Sequence, residues 1–156
     1  MKKYNIEGKE MFSLLTSKQI DEISDVAILK NFEPGQIIYD HKEQANNLYI
    51  LLEGEVSLRL PGRKDISAEN FALEIEKISG HGIVFGPNLL FDIKRYITRA
   101  RATKTAKILV IDAKKFLNII RKNKSEFAIM SYLAKEYFKR YINAMKELEE
   151  YIEKSR

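Results

Sequence analysis

The residues of this chain best suited to chemistry are cationic. Eleven Lys or Arg fall between Ile93 and Ser125, from Lys94 to Lys124, and Asp112 is the only acid among them. The chain as a whole carries +5, so everything outside that segment is net acidic. Such a run steers an anionic ligand or a nucleic acid, or it is a solvated lysine-rich surface. Nothing points to catalysis. His41 and His81 lie far apart in expected loops, and no nucleophile–base–acid set, Gly-rich P-loop or carboxylate pair is legible. The absence of cysteine excludes a thiolate nucleophile, a disulfide framework and a cysteine zinc site. The expectation is a non-enzyme without a metal.

Elements must position these cations, and their signals are clear. At 156 residues, 45% hydrophobic and 31% charged, the chain has the make-up of an ordinary globular domain. Thr16-Ser17-Lys18-Gln19 reads as a capping box, opening a helix over about Ser17–Asp25 with Leu15 and Ile20 as a staple. Pro34-Gly35 suits a type II turn. The apolar runs Ile37–Tyr39 and Leu48–Leu52, closed by Gly54 and continued by Val56–Leu60, read as short strands. A turn at Pro61-Gly62-Arg63 leads to a strand near Phe71–Ile78, so β structure is expected from Ala27 to Ile111. Asp112 is placed to cap a helix containing Phe116, Ile119 and Ile120.

From Glu126 to about Lys154 no Gly or Pro interrupts a helical pattern. Met130, Ala134, Tyr137, Tyr141, Ala144, Leu148 and Tyr151 alternate in steps of four and three, a heptad seam suited to a parallel homodimer, the alternative being a helix folded back on its own barrel. Phe127, Leu133, Phe138, Ile142, Met145 and Ile152 form a second, wider apolar face. Glu136 with Arg140 and Glu150 with Lys154 are spaced for ion pairs on the solvent side. The expected division is residues 1–125 as a β-roll domain and 126–156 as a dimerisation helix.

The stretch Asn31–Gly54, together with Gly82-Ile83-Val84-Phe85-Gly86 and Ile108–Asp112, resembles the cyclic-nucleotide-binding domain family, of the catabolite activator protein and kinase regulatory subunit type. The resemblance runs from about Phe12 to about Ile142. It implies an α+β fold: a β-roll (a double-stranded β-helix, jelly-roll-like) with an N-terminal helix, a short cassette helix and a long C-terminal helix. In that family a helix start after Phe-Gly and one arginine hold the cyclic phosphate, and a glutamate takes the ribose hydroxyl. The positions carried over are Gly86, Pro87, Asn88, Leu89, Leu90, Arg95, Tyr96 and Ile97.

Two of these positions, and Lys42 outside them, depart from the family pattern. Pro87 stands where the glutamate belongs and has no side-chain acceptor, although proline suits a first helical position. Tyr96 falls where the phosphate arginine belongs, and Arg95 reaches the site only if the loop slips by one residue. Strand alternation turns Arg99 and Arg101 away from the interior. Lys42 replaces a glycine, which suggests a relaxed turn. The amides of Asn88, Leu89 and Leu90 would still be free to meet an anion, while Tyr96 either fills the barrel mouth or turns to solvent. The last helix would close the pocket, with Tyr137 or Tyr141 over a ligand.

The expected function is a stand-alone regulatory module in signal transduction. It would sense a cyclic nucleotide or another small anion, or act as a degenerate scaffold, and hand its output to a protein partner. A nucleic-acid or anionic-surface binder using residues 93–125 is the alternative. The chain stops at Arg156 without room for a helix-turn-helix domain, so operator binding is not expected. With no leader-like or membrane-spanning apolar run, a cytoplasmic location is expected.

Overall fold

The computed structural model describes residues 4–5, 10–60 and 73–156. The Pro61-Gly62-Arg63 turn and the expected strand start at Phe71 lie outside the described residues. A 3₁₀ turn, Glu10–Leu14, precedes α1 (Ser17–Val26). Then come β1 (Ala27–Phe32), β2 (Ile37–Tyr39), β3 (Asn47–Glu53), β4 (Glu55–Leu60), β5 (Leu73–Ser79) and β6 (Ile83–Phe85). A short 3₁₀ helix, Asn88–Phe91, leads to β7 (Arg99–Ala102), β8 (Ala106–Asp112), α2 (Ala113–Lys122) and α3 (Glu126–Lys154).

The strands form two antiparallel sheets, ordered β1-β8-β3-β6 and β2-β7-β4-β5, facing each other as a β-roll. β3 and β8 are the strands with long unbroken apolar runs, the mark of strands buried on both faces. Along β3, Leu48, Ile50 and Leu52 join a cluster with α1, α2 and the start of α3, including Ile23, Phe116, Ile120 and Leu133. Tyr49 and Leu51 point the other way, into the roll, beside Val56, Leu58, Ala100 and Val110. Each fully buried Leu or Ile here contributes roughly 1.5–3 kcal/mol. β8 divides in the same way, with Leu109 and Ile111 toward the helices and Ile108 and Val110 inward.

Local signals act as their chemistry dictates. The Thr16 hydroxyl accepts the Gln19 amide while the Gln19 side chain accepts the Thr16 amide, which completes the capping box. Gln19, fully buried, also donates to the Ser125 hydroxyl and so ties α1 to the start of α3. At Pro34-Gly35 the Gln36 amide donates to Glu33 O at 3.0 Å with Gly35 at φ +92°, a type II turn. Asp112 caps α2 through the Lys115 amide at 2.9 Å.

Lys42 corrects the expectation of a relaxed turn. It keeps φ +68°, the left-handed conformation that glycine favours. The bend is held from outside, because the Lys42 amide donates to Tyr96 O at 2.8 Å and its carbonyl accepts from Arg95 Nη1 at 2.6 Å.

Candidate functional site

β6 ends at Phe85-Gly86, and the chain there crosses an aromatic floor. Gly86 has φ +67°, and a Cβ on it would come within 3.0 Å of the Tyr49 ring and 3.2 Å of the Tyr39 ring. Only glycine meets both demands. Pro87, expected as the first helical residue, sits one place earlier as the N-cap, and the cassette helix Asn88–Phe91 is a single 3₁₀ turn. This corrects the picture of three open amides: the Leu90 amide already donates to Pro87 O at 3.1 Å. Leu90 and Leu89 pack toward the helical cluster, so their side chains brace the cassette from behind.

The floor is a stack of Tyr39, Tyr49, Phe85 and Tyr96. Tyr96 lies 3.9 Å from Tyr39 between ring centres, and Tyr49 lies 5.3 Å from Phe85. Of the two positions considered for Tyr96, the structure has the inward one: it is 3% exposed and its hydroxyl donates to Asn47 O at 2.6 Å. Burial pushes the phenols of Tyr39 and Tyr96 far above their ordinary range. Arg95 does not slip into the site. It is exposed, its guanidinium is bound to Lys42 O, and its carbonyl accepts from the Asn88 side chain. Arg99 leaves the interior, as alternation requires, and meets Asp40 in a two-pronged pair at 2.8 and 3.0 Å.

Above the floor, α3 encloses a cavity of about 540 Å³. Gly86, Pro87, Asn88, Ile97 and Thr98 line one side, Leu58 and Ile75 another, and Ala134, Tyr137, Arg140, Tyr141, Ala144 and Leu148 the roof. Two polar links join roof to wall. The Gly86 amide donates to the Tyr137 hydroxyl at 3.0 Å, and Arg140 Nε pairs with Glu76 at 3.1 Å. The Arg140 guanidinium also lies 4.8 Å over the Tyr137 ring, a cation–π contact. Its Nη1 is buried and makes no hydrogen bond to any described residue. Burial raises the Glu76 carboxyl against the pull of Arg140, and burial likewise pushes the Tyr137 phenol up to about 12.

This geometry corrects the assignment of the helix faces. Ala134, Tyr137, Tyr141, Ala144 and Leu148, expected as a dimer seam, line the cavity over their own β-roll. Met130 packs on the helical cluster, and Tyr151 is exposed near the end of the helix. The free apolar face runs through Phe127, which is 85% exposed, and Phe138, 63% exposed, with Ile142 and Ile152 also out. Met145 borders the cavity, Leu133 is buried in the helical cluster, and Tyr141 is still 57% exposed. Arg140 pairs with Glu76 across the cavity, not with Glu136, which instead takes Lys139.

Sequence reasoning missed Glu76, Arg140 as a site residue, and Tyr39. An arginine three residues after Tyr137 on an apolar helix face was the available signal. The basic segment is spread over the cassette, β7, β8 and α2, and several members already meet carboxylates: Arg99–Asp40, Lys104–Glu55, Lys107–Glu53 and Arg121–Glu126. Among the described residues, no cluster of His, Cys, Asp or Glu could hold a metal, and no helix is long and apolar enough to cross a membrane.

A two-sheet roll, a cassette after Phe-Gly and a long helix closing the mouth define a class of regulatory domain. The profile of the cyclic nucleotide-binding domain matches residues 29–123, and the chain belongs to that family. A Geobacter metallireducens GS-15 protein provisionally named for cyclic-nucleotide binding is similar at 25% identity, over 84% of this chain and 91% of that one (TM-score 0.69). The sensor domain of the transcriptional regulator DNR from Pseudomonas aeruginosa shares the fold at 20% identity, over 90% of this chain and 95% of that one (TM-score 0.70). The Thermus thermophilus catabolite activator protein shares it at 19% identity and TM-score 0.64. That match covers 90% of this chain but 62% of the activator.

Proposed function

We propose that this chain is a regulatory module that senses a small molecule in the cavity between α3 and the β-roll and transmits occupancy through α3. The carrying observation is the bond from the Gly86 amide to the Tyr137 hydroxyl. It ties the output helix directly to the cassette backbone, so a ligand entering beside it must keep or replace that tie. Residues 1–125 act as the sensing roll and 126–156 as the output element. cAMP and cGMP bind weakly in this reading, because Pro87 offers the ribose no acceptor and Tyr96 and Arg95 are committed elsewhere. The exposed stripe from Phe127 to Ile152 pairs with its copy in a homodimer, which a protein partner reads.

The test uses the absence of cysteine. A single cysteine placed at Lys146 carries an environment-sensitive dye, and cyclic mono- and dinucleotides and small apolar compounds are titrated in. A saturable signal that Tyr137→Phe alters is expected. A dye that no compound moves would overturn the sensing reading.

A further inference from the structure

We propose that the cavity under α3 takes a neutral, largely apolar molecule bearing one hydrogen-bond acceptor, which docks on Arg140 Nη1. This rests on the sensing reading above and narrows its ligand. The volume of about 540 Å³ suits a small organic molecule. Its walls are mostly aliphatic and aromatic, with Leu58, Ile75, Phe91 and Leu148 among them. Among the described residues that line it, Glu76 and Arg140 are the only charged ones, and they neutralise each other at 3.1 Å.

An entering anion therefore finds no surplus positive charge on the described walls to offset its desolvation, and it lies beside the Glu76 carboxylate. An entering cation meets the same obstacle at Arg140. The Glu76 carboxyl is itself raised by burial, a sign of how poorly this wall carries negative charge. A neutral acceptor avoids both costs and meets a specific need. Arg140 Nη1 is buried and makes no hydrogen bond to any described residue, and a buried donor without a partner is the exception in folded proteins. A ketone, ester or amide oxygen at that point would satisfy it while the apolar body covers the walls.

The test compares two naphthalene probes of similar size on the full chain. Prodan is a neutral ketone, and anilinonaphthalene sulfonate is an anion. Ala144→Phe fills the cavity, Ala134→Leu is a second blocking variant, and circular dichroism checks that each folds. Arg140→Lys keeps a partner for Glu76 but removes the Nη1 donor. Prodan is expected to bind with blue-shifted emission and to be blocked by both filling variants. Arg140→Lys is expected to weaken it about tenfold, the worth of one hydrogen bond to a charged donor. The sulfonate is expected to bind at least about tenfold more weakly than prodan. If the sulfonate or cAMP binds more tightly than prodan and is blocked by the filling variants, the ligand class falls while the sensing cavity stands. Prodan binding unchanged in Arg140→Lys overturns the role of Nη1. If no probe binds in a way the filling variants block, both this proposal and the cavity as a sensing site fail.

Discussion

Lys42, Asp40 and Tyr137 show how single residues set the terms for the site. Lys42 occupies left-handed space, which costs an L-residue about 1–2 kcal/mol. Lys42→Gly is expected to raise stability by about 0.5–1 kcal/mol after the added entropy of the unfolded chain, read as a higher melting temperature. Asp40 is held below its ordinary value of 3.8, first by hydrogen bonds from Arg99. Its folded carboxyl thus ionises at lower pH than the unfolded one, so its stabilisation is complete above about pH 3.8 and fades as pH falls through the depressed folded value. Asp40→Asn should lower the neutral melting temperature and flatten the loss of stability below that pH. Tyr137→Phe leaves the Gly86 amide without its acceptor and is expected to cost roughly 1–3 kcal/mol in urea unfolding. The residue scale was also the least legible in the sequence. Tyr96 could be placed by counting back along β8, but the role of Arg140 on α3 depends on Glu76, sixty-four positions away on the strand β5. No local pattern encodes such a meeting.

α3 carries the main correction at the level of elements. Heptad spacing separated two apolar faces, but Leu133 and Met145 of the second pack against the helical cluster and the cavity. Periodicity fixes the separation of residues along a helix and not which way the helix is turned. The β-roll decides that, by offering Gly86 to Tyr137 and Glu76 to Arg140. Phe138→Glu, on the free face, is expected to shift light scattering from dimer to monomer with little loss of secondary structure. Leu133→Ala, in the helical cluster, should cost about 2–5 kcal/mol, because its cavity cannot collapse between α3 and the sheet. Elements whose ends carry their own chemistry were read closely. The Thr16 box opened α1, Asp112 capped α2, and the apolar run Leu48–Leu52 lies within β3. The cassette was expected as a short helix from Pro87 to Phe91, and it is a single 3₁₀ turn over Asn88–Phe91 with Pro87 one place before it.

For the molecule as a whole, the roll was legible because its turns depend on glycine and proline at fixed offsets. What occupies its mouth was not legible, because that depends on three segments meeting. The basic segment bears on this scale too. With several of its cations paired, retention on heparin is expected to match that of a globular protein of similar net charge and to fall off at modest salt. Markedly stronger retention would favour a nucleic-acid role. The stacked phenols of the floor have a spectroscopic consequence. The chain holds eight tyrosines and no tryptophan, so near-ultraviolet absorption and emission come almost wholly from phenol rings, several of them lining or underlying the cavity. In an alkaline titration Tyr137 should ionise late, near 12, and Tyr39 and Tyr96 only as the roll opens. The tyrosinate band should therefore rise in stages, and its last stage should follow a different curve on the return to neutral pH. The protein thus carries a native optical gauge of its own floor, readable without any label.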